Sequence, residues 1–105
     1  MRLFVYGELC KPAVLRAVLG RVPAAEPAVL AGFRRQLNAR TGYFRARPQP
    51  ESVVVGLLLS DISAADLDLL DEFENVAGGE YGRVEAVVET IGDGASQEAW
   101  VYTAA

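Results

Sequence analysis

Histidine is absent from the sequence, cysteine occurs once, and no hydrophobic run is long. Without histidine, the chain cannot form a Ser-His-Asp triad, a Cys-His pair or a metal site with imidazole ligands. The lone Cys10 excludes an internal disulfide and the CxxC motifs of zinc and redox sites. Because no histidine is available to activate its thiol, we expect Cys10 to be structural.

No segment reaches the roughly 18–20 apolar residues that a membrane-spanning helix needs. The apolar run at the N-terminus stops at Gly7 and is too short for a signal peptide. We therefore expect a cytoplasmic protein without a membrane partner.

The length of 105 residues predicts a single domain over residues 1–105. Hydrophobic residues make up 51% of the chain and charged residues 23%, which is typical of a globular protein and not of a disordered one. The sequence is compatible with a monomer or a homodimer.

The net charge of −4 conceals an uneven distribution. Residues 1–47 hold nine basic groups against two acids, and residues 48–105 hold one basic group against twelve acids. Binding to nucleic acid is one interpretation of the arginines in the basic half, which are Arg34, Arg35, Arg40, Arg45 and Arg47. A pI near 4.7 and the lack of a recognisable binding motif argue against it, so we expect no nucleic-acid partner.

Hydrophobic periodicity predicts an α+β domain with about five strands and two helices. The expected strands cover residues 3–6, 29–37 (with a bulge at its glycine), 53–59, 81–89 and 99–102. One helix begins at Pro12 and ends before Gly20. The second begins after Ser63, which forms a capping box with Asp66, and continues to about Asn75, before the glycines at 78 and 79. Residues 38–52 contain glycine and two prolines, which predicts a loop.

Glu74 has an unexpected position in the second predicted helix. At about 100° per residue, its side chain falls between Leu67 and Leu70, inside the apolar stripe. It also lies in the last turn, at the negative end of the helix dipole. Burial and negative potential both raise a carboxyl pKa, which suits proton transfer near neutral pH. If the helix instead frays at Phe73, Glu74 is simply exposed.

Several short motifs follow one another in a familiar order. Phe4–Leu9 resembles the Phe-Val-Tyr-Gly-Thr/Ser-Leu segment that opens γ-glutamylcyclotransferase-like (AIG2-like) proteins, and the closest resemblance is to γ-glutamylamine cyclotransferases. Leu70–Glu74 resembles the family's Leu-Asp-x-Phe-Glu, and Tyr81–Arg83 its Tyr-x-Arg. Gly56 is similar to the glycine before the family's central strand, and residues 100–102 fit its last strand. Only residues 10–52 lack clear landmarks.

The resemblance implies a small, curled mixed sheet or barrel of five to seven strands flanked by two helices, with a substrate cavity at its mouth. It also implies an enzyme that releases 5-oxoproline from a γ-glutamyl amine or peptide. In that reaction the substrate's own α-amine attacks its γ-carbonyl, so the enzyme needs no nucleophile, no cofactor and no metal. This agrees with a chain that lacks histidine and a reactive cysteine.

The resemblance also implies roles for individual residues. Glu74 matches the family's general acid and base, which deprotonates the amine and then protonates the leaving group. The backbone N–H groups of Gly7, Glu8 and Leu9 match the loop that holds the substrate's α-carboxylate. Tyr6 and Tyr81 would line the pocket, although packing in the core explains both tyrosines equally well.

Some residues depart from the family pattern. Glu8 replaces serine or threonine, and its carboxylate repels a bound carboxylate unless the side chain turns outward. Val55 replaces a glutamate, and Asn75 stands where glycine is common. These departures leave open a second function, a small-molecule binding module that has lost or altered its activity. Arg83 could pair with an acid across the sheet or shape the pocket, and of these we expect the structural role.

Overall fold

A computed structural model describes all 105 residues. The elements, in chain order, are β1 (Leu3–Val5), a 3-10 turn (Glu8–Cys10), α1 (Pro12–Leu19), β2 (Ala25–Leu37), β3 (Phe44–Leu59), α2 (Ala64–Phe73), β4 (Tyr81–Thr90) and β5 (Ser96–Ala104). Five strands and two helices confirm the predicted α+β class. Neither helix is long and apolar enough to cross a membrane.

The strands form a closed barrel in the order β1-β3-β2-β4-β5. β1 closes it, because this short strand runs antiparallel to β3 on one side and parallel to β5 on the other. Beyond the end of β1, the two neighbouring strands meet only at Ala46 and Thr103. The sheet is therefore mixed, as expected.

Two apolar clusters hold the fold together, and β1 contributes to both. Side chains of a strand alternate between its faces, so Phe4 points into the barrel while Leu3 and Val5 point toward the helices. The helices cover the outer cluster with Leu15 of α1 and Leu70 of α2. Burial of these side chains fixes the position of both helices on the barrel.

The prediction of a loop over residues 38–52 is wrong for most of its length. Only residues 38–43 form the connection, and β3 already begins at Phe44. The ladder between β2 and β3 jumps from the Ala31–Val53 pair to the Phe33–Pro48 pair, so residues 49–52 form a bulge with Pro50 inside it. A proline in a bulge removes no ladder hydrogen bond, and for this reason the strand continues through it. The expected bulge at the glycine of β2 is confirmed.

α2 has the predicted start but a different end. Ser63 and Asp66 form the capping box. The helix stops at Phe73, with Glu74 as its C-cap, and the glycines at 78 and 79 do not end it. Asn75 ends it instead by adopting a left-handed conformation with φ 53°, which asparagine tolerates better than most residues. This conformation also explains why asparagine can replace the glycine expected there.

Gly56 brings β3 into close contact with β1. A Cβ atom at this position would lie 2.1 Å from the carbonyl oxygen of Val5 and 2.9 Å from Cζ of Phe4. We expect Gly56→Ala to lower the free energy of unfolding by about 3 kcal/mol or more, because the backbone of β1 must move. Urea denaturation of both proteins measures this loss.

Gly82→Ala is the matched control, since Gly82 also lies in a strand but a Cβ there meets no heavy atom within 4 Å. Its stability should change by less than about 1 kcal/mol. Equal losses in the two variants would contradict a specific contact at Gly56.

Candidate active site

A cavity of about 390 Å³ opens at the end of the barrel where β1 stops. This volume is in the range of small-molecule sites. It brings together all six residues singled out from the sequence, which are Tyr6, Gly7, Glu8, Leu9, Glu74 and Tyr81. The chain offers no group of three or more carboxylate, thiol or imidazole side chains that could hold a metal ion.

Glu74 enters the cavity from the end of α2. It directly follows the last residue of the helix, and its backbone N–H donates to the carbonyl of Leu70 at 2.9 Å. Burial raises the pKa of its carboxyl from 4.5 to about 7. The side chain is half-buried, so the alternative of a frayed, exposed Glu74 does not hold. At neutral pH this carboxyl can both accept and donate a proton.

Tyr6 lies in the wall of the cavity, where its hydroxyl is fully engaged. The hydroxyl donates to the carbonyl oxygen of Tyr102 and accepts from the backbone N–H of Ala46 at 2.9 Å. Burial raises the pKa of Tyr6 well above its ordinary value. Tyr6 thus joins β5 to β3, and its position combines core packing with pocket lining.

Tyr81 also lines the cavity, at the start of β4. Its hydroxyl donates to the carbonyl oxygen of Phe44 at 2.8 Å, and burial raises its pKa to about 12. This bond ties the first residue of β4 to the first residue of β3, so both tyrosines fix the shape of the cavity.

The turn after β1 presents open backbone to the cavity. The N–H of Gly7 donates to no acceptor in the protein, and a Cβ at Gly7 would meet nothing within 4 Å. The negative charge of Glu8 is compensated, because its carboxylate pairs with Nζ of Lys11 at 2.9 Å. The side chains of both partners are solvent-exposed, so the carboxylate of Glu8 is neutralised at the open edge of the cavity.

Arg83 does not line the cavity but supports the helix that carries Glu74. Its Nε and Nη2 donate to the two carboxylate oxygens of Asp71 at 2.8 and 3.1 Å. Tyr102 donates to the same carboxylate at 2.6 Å, and the guanidinium stacks 4.4 Å from the ring centre of Trp100. The expected structural pairing of Arg83 with an acid is confirmed. The acid, however, belongs to α2 and not to a strand across the sheet.

Although burial alone would raise it, the hydrogen bonds from Arg83 and Tyr102 hold the pKa of Asp71 below its ordinary value. The ionised carboxylate binds α2 to β4 and β5 one turn before Glu74. This network orients the end of the helix toward the cavity.

The β2–β3 connection and the start of β3 supply cavity residues that the sequence motifs do not assign to the site. Asn38, Thr41 and Tyr43 of this connection line the cavity, as do Phe44 and Arg45 at the start of β3. Arg40 pairs with Glu80 at 2.7 Å and holds the connection against the segment before β4. The sequence signal for this part of the cavity was the pair of adjacent aromatic residues, Tyr43 and Phe44. Both are solvent-exposed in the structure.

The basic cluster is dispersed among different environments. Arg40 is paired with Glu80, Arg35 lies 4.4 Å from the ring centre of Phe44, and Arg34 faces Arg47 across the ladder. Cys10 is half-buried, and this burial raises the pKa of its thiol, which favours the unreactive protonated form.

Known proteins are similar to this chain in both sequence and fold. A family model described as "Gamma-glutamyl cyclotransferase, AIG2-like" matches residues 3–105. AIG2-like protein C of Arabidopsis thaliana is 39% identical over 103 residues, which cover 95% of this chain and 58% of that protein. A γ-glutamylcyclotransferase and putative RNase of Methanocaldococcus jannaschii is 28% identical over 100 residues, covering 95% and 44% of the two chains.

A solved structure of a gamma-glutamyl cyclotransferase superposes with a TM-score of 0.84 at 20% identity, covering all of this chain and 66% of the other. That likeness shows the fold. The chain spans about half the length of the curated relatives it matches. The family model covers nearly every residue, and the chain belongs to the γ-glutamyl cyclotransferase, AIG2-like family.

The raised pKa of Glu74 makes stability depend on pH in a defined direction. Because the folded pKa of about 7 exceeds the ordinary 4.5, stability present below the ordinary value is lost as the pH rises through 7. We expect Glu74→Gln to abolish this loss, so that between pH 5 and pH 8 the variant gains about 1–3 kcal/mol relative to wild type. Urea denaturation across this range measures the difference.

Glu72→Gln is the control, because Glu72 is exposed on the same helix. Its stability curve should run parallel to that of wild type. If the curve of Glu74→Gln is also parallel, Glu74 does not carry a raised pKa.

Proposed function

We propose that this protein is a γ-glutamyl cyclotransferase that releases 5-oxoproline from a γ-glutamyl amine or peptide. The observation that carries the proposal is the pairing, in one cavity, of a half-buried glutamate with a pKa near 7 and an open backbone N–H at Gly7. A relative whose name includes this activity supports the choice of reaction.

The substrate's α-carboxylate binds at the turn of Gly7, Glu8 and Leu9. Backbone N–H groups bind a carboxylate without ordering a side chain, and the glycine leaves room for close approach. The ion pair with Lys11 limits the repulsion that Glu8 would otherwise exert on this group. Held at this end, the glutamyl chain folds back so that its amine approaches its own γ-carbonyl, and this proximity supplies much of the rate.

Glu74 moves the protons. In its ionised form it removes one proton from the α-ammonium group, and the neutral nitrogen attacks the γ-carbonyl carbon to form the five-membered ring. The protonated carboxyl then delivers this proton to the nitrogen of the leaving amine as its bond to carbon breaks. This donation returns Glu74 to its ionised form. The ring nitrogen still carries one extra proton, which Glu74 accepts as the lactam forms and then passes to solvent.

Glu74→Gln removes the proton acceptor and should lower kcat by about 10²–10⁴-fold. The measurement is the release of 5-oxoproline from a panel of γ-glutamyl amines and dipeptides. Glu72→Gln, on the exposed face of the same helix, should retain wild-type rates. Equal product from wild type and Glu74→Gln would mean that Glu74 is not the catalyst.

The same panel separates catalysis from the alternative of a binding module, which Glu8 at the edge of the cavity favours. A module of this kind would show a ligand-dependent rise in melting temperature with no 5-oxoproline. Steady turnover of any panel member would exclude it.

The rate should also follow the ionisation of Glu74. Because only the carboxylate accepts the first proton, kcat/KM should rise with pH and level off above an apparent pKa of about 7. Rates measured between pH 5 and pH 9 in buffers of constant ionic strength test this. A limb with its midpoint near the ordinary value of 4.5 would contradict the assignment.

A further inference from the structure

The charged side chains that line the cavity differ in whether they have a salt-bridge partner. The carboxylates of Glu8 and Glu80 each have a basic partner, in Lys11 and Arg40. Glu74 is assigned to proton transfer. The remaining charge belongs to Arg45, which takes part in no salt bridge and whose guanidinium makes no hydrogen bond within the protein. An unpaired guanidinium in a substrate cavity is a binding group for an anion.

Arg45 lies on the β3 side of the cavity and is half-buried. Burial raises the pKa of the Tyr6 and Tyr81 hydroxyls, and the positive charge of Arg45 partly offsets both rises. The guanidinium therefore lies close enough to both tyrosines to act on them electrostatically. The pKa of Glu74, in contrast, responds to burial alone.

Exposed aromatic side chains line the same cavity as Arg45. Tyr43 and Phe44 directly precede Arg45 in the sequence, and Phe73, the last residue of α2, lines the same cavity. All three are more than a third exposed, although each is large and apolar. A cation beside exposed rings matches a ligand with a carboxylate and an apolar body.

We propose that Arg45 is a specificity residue that binds a carboxylate on the leaving group, so that the preferred substrates are γ-glutamyl dipeptides ending in a large apolar amino acid. This rests on the proposed function. The glutamyl α-carboxylate occupies the turn at Gly7, and the second carboxylate pairs with Arg45 while the apolar side chain contacts Tyr43 and Phe44. Simple amines lack the second carboxylate and bind more weakly.

The test compares three synthetic substrates by their release of 5-oxoproline. γ-Glutamylphenylalanine and γ-glutamylphenethylamine differ only in the carboxylate of the leaving group, and γ-glutamylalanine keeps the carboxylate but lacks the ring. We expect wild type to favour the phenylalanine compound over each of the others by about tenfold or more in kcat/KM. Because the carboxylate of the leaving group takes no part in making or breaking bonds, most of the difference should be in KM.

In Arg45→Gln, the selectivity ratio between the phenylalanine and phenethylamine compounds should fall at least tenfold. Arg45→Lys retains the charge but not the two-pronged hydrogen bonding and should restore part of the ratio. Arg47→Gln is the matched control, since it removes the same charge from the same strand outside the cavity and should keep the wild-type ratio. Melting temperatures of the variants verify that each is folded.

Each remaining outcome overturns the inference in a distinct way. Equal losses on both aromatic substrates in Arg45→Gln would assign the guanidinium to the glutamyl part. An unchanged ratio would remove Arg45 from specificity while leaving the proposed activity intact. Comparable turnover of the alanine compound would remove the aromatic preference. No 5-oxoproline from any substrate with wild type would overturn the proposed function together with this inference.

Discussion

The carboxylate of Asp71 is the contact on which the geometry of the site depends. It accepts hydrogen bonds from Arg83 on β4 and from Tyr102 on β5, and it is the point at which α2 is bound to the barrel by polar groups. One turn later the helix ends, and Glu74 is delivered to the cavity. A helix end held only by apolar contacts can slide or rotate, whereas a two-pronged arginine–carboxylate pair fixes both its distance and its direction.

Two carboxylates three residues apart on the same helix therefore have opposite electrostatic environments. Asp71 has a cationic partner and a hydroxyl donor, so it remains charged and structural. Glu74 is buried without a cationic partner. Its charged form is therefore disfavoured, and its carboxyl exchanges a proton near neutral pH. The barrel side chains that lie next to each carboxylate make Asp71 structural and leave Glu74 reactive. Ionisation of Glu74 therefore destabilises the fold.

The sequence is sufficient to predict features that depend on local order. The helical period places Glu74 among apolar residues, and the capping box at Ser63 follows from residue types three positions apart. Features set by pairing over long distances were missed. The extent of β3 depends on its register with β2 and on a bulge that accommodates Pro50, and neither is encoded in its own residues. The partner of Arg83 was assigned to the wrong layer for the same reason, because the approach of α2 to the sheet is decided by tertiary packing.

The cavity exists because one strand is short. β1 has three residues, and beyond Val5 the chain turns away, so β3 and β5 are left with a gap where a longer strand would lie. Tyr6 spans this gap with one phenol, which accepts from Ala46 and donates to Tyr102 in place of backbone rungs. The side chain of Tyr6 thus connects β3 to β5 beyond the end of β1. In a barrel of this kind, the length of the closing strand determines whether the packed interior reaches the end of the barrel or leaves a cavity there.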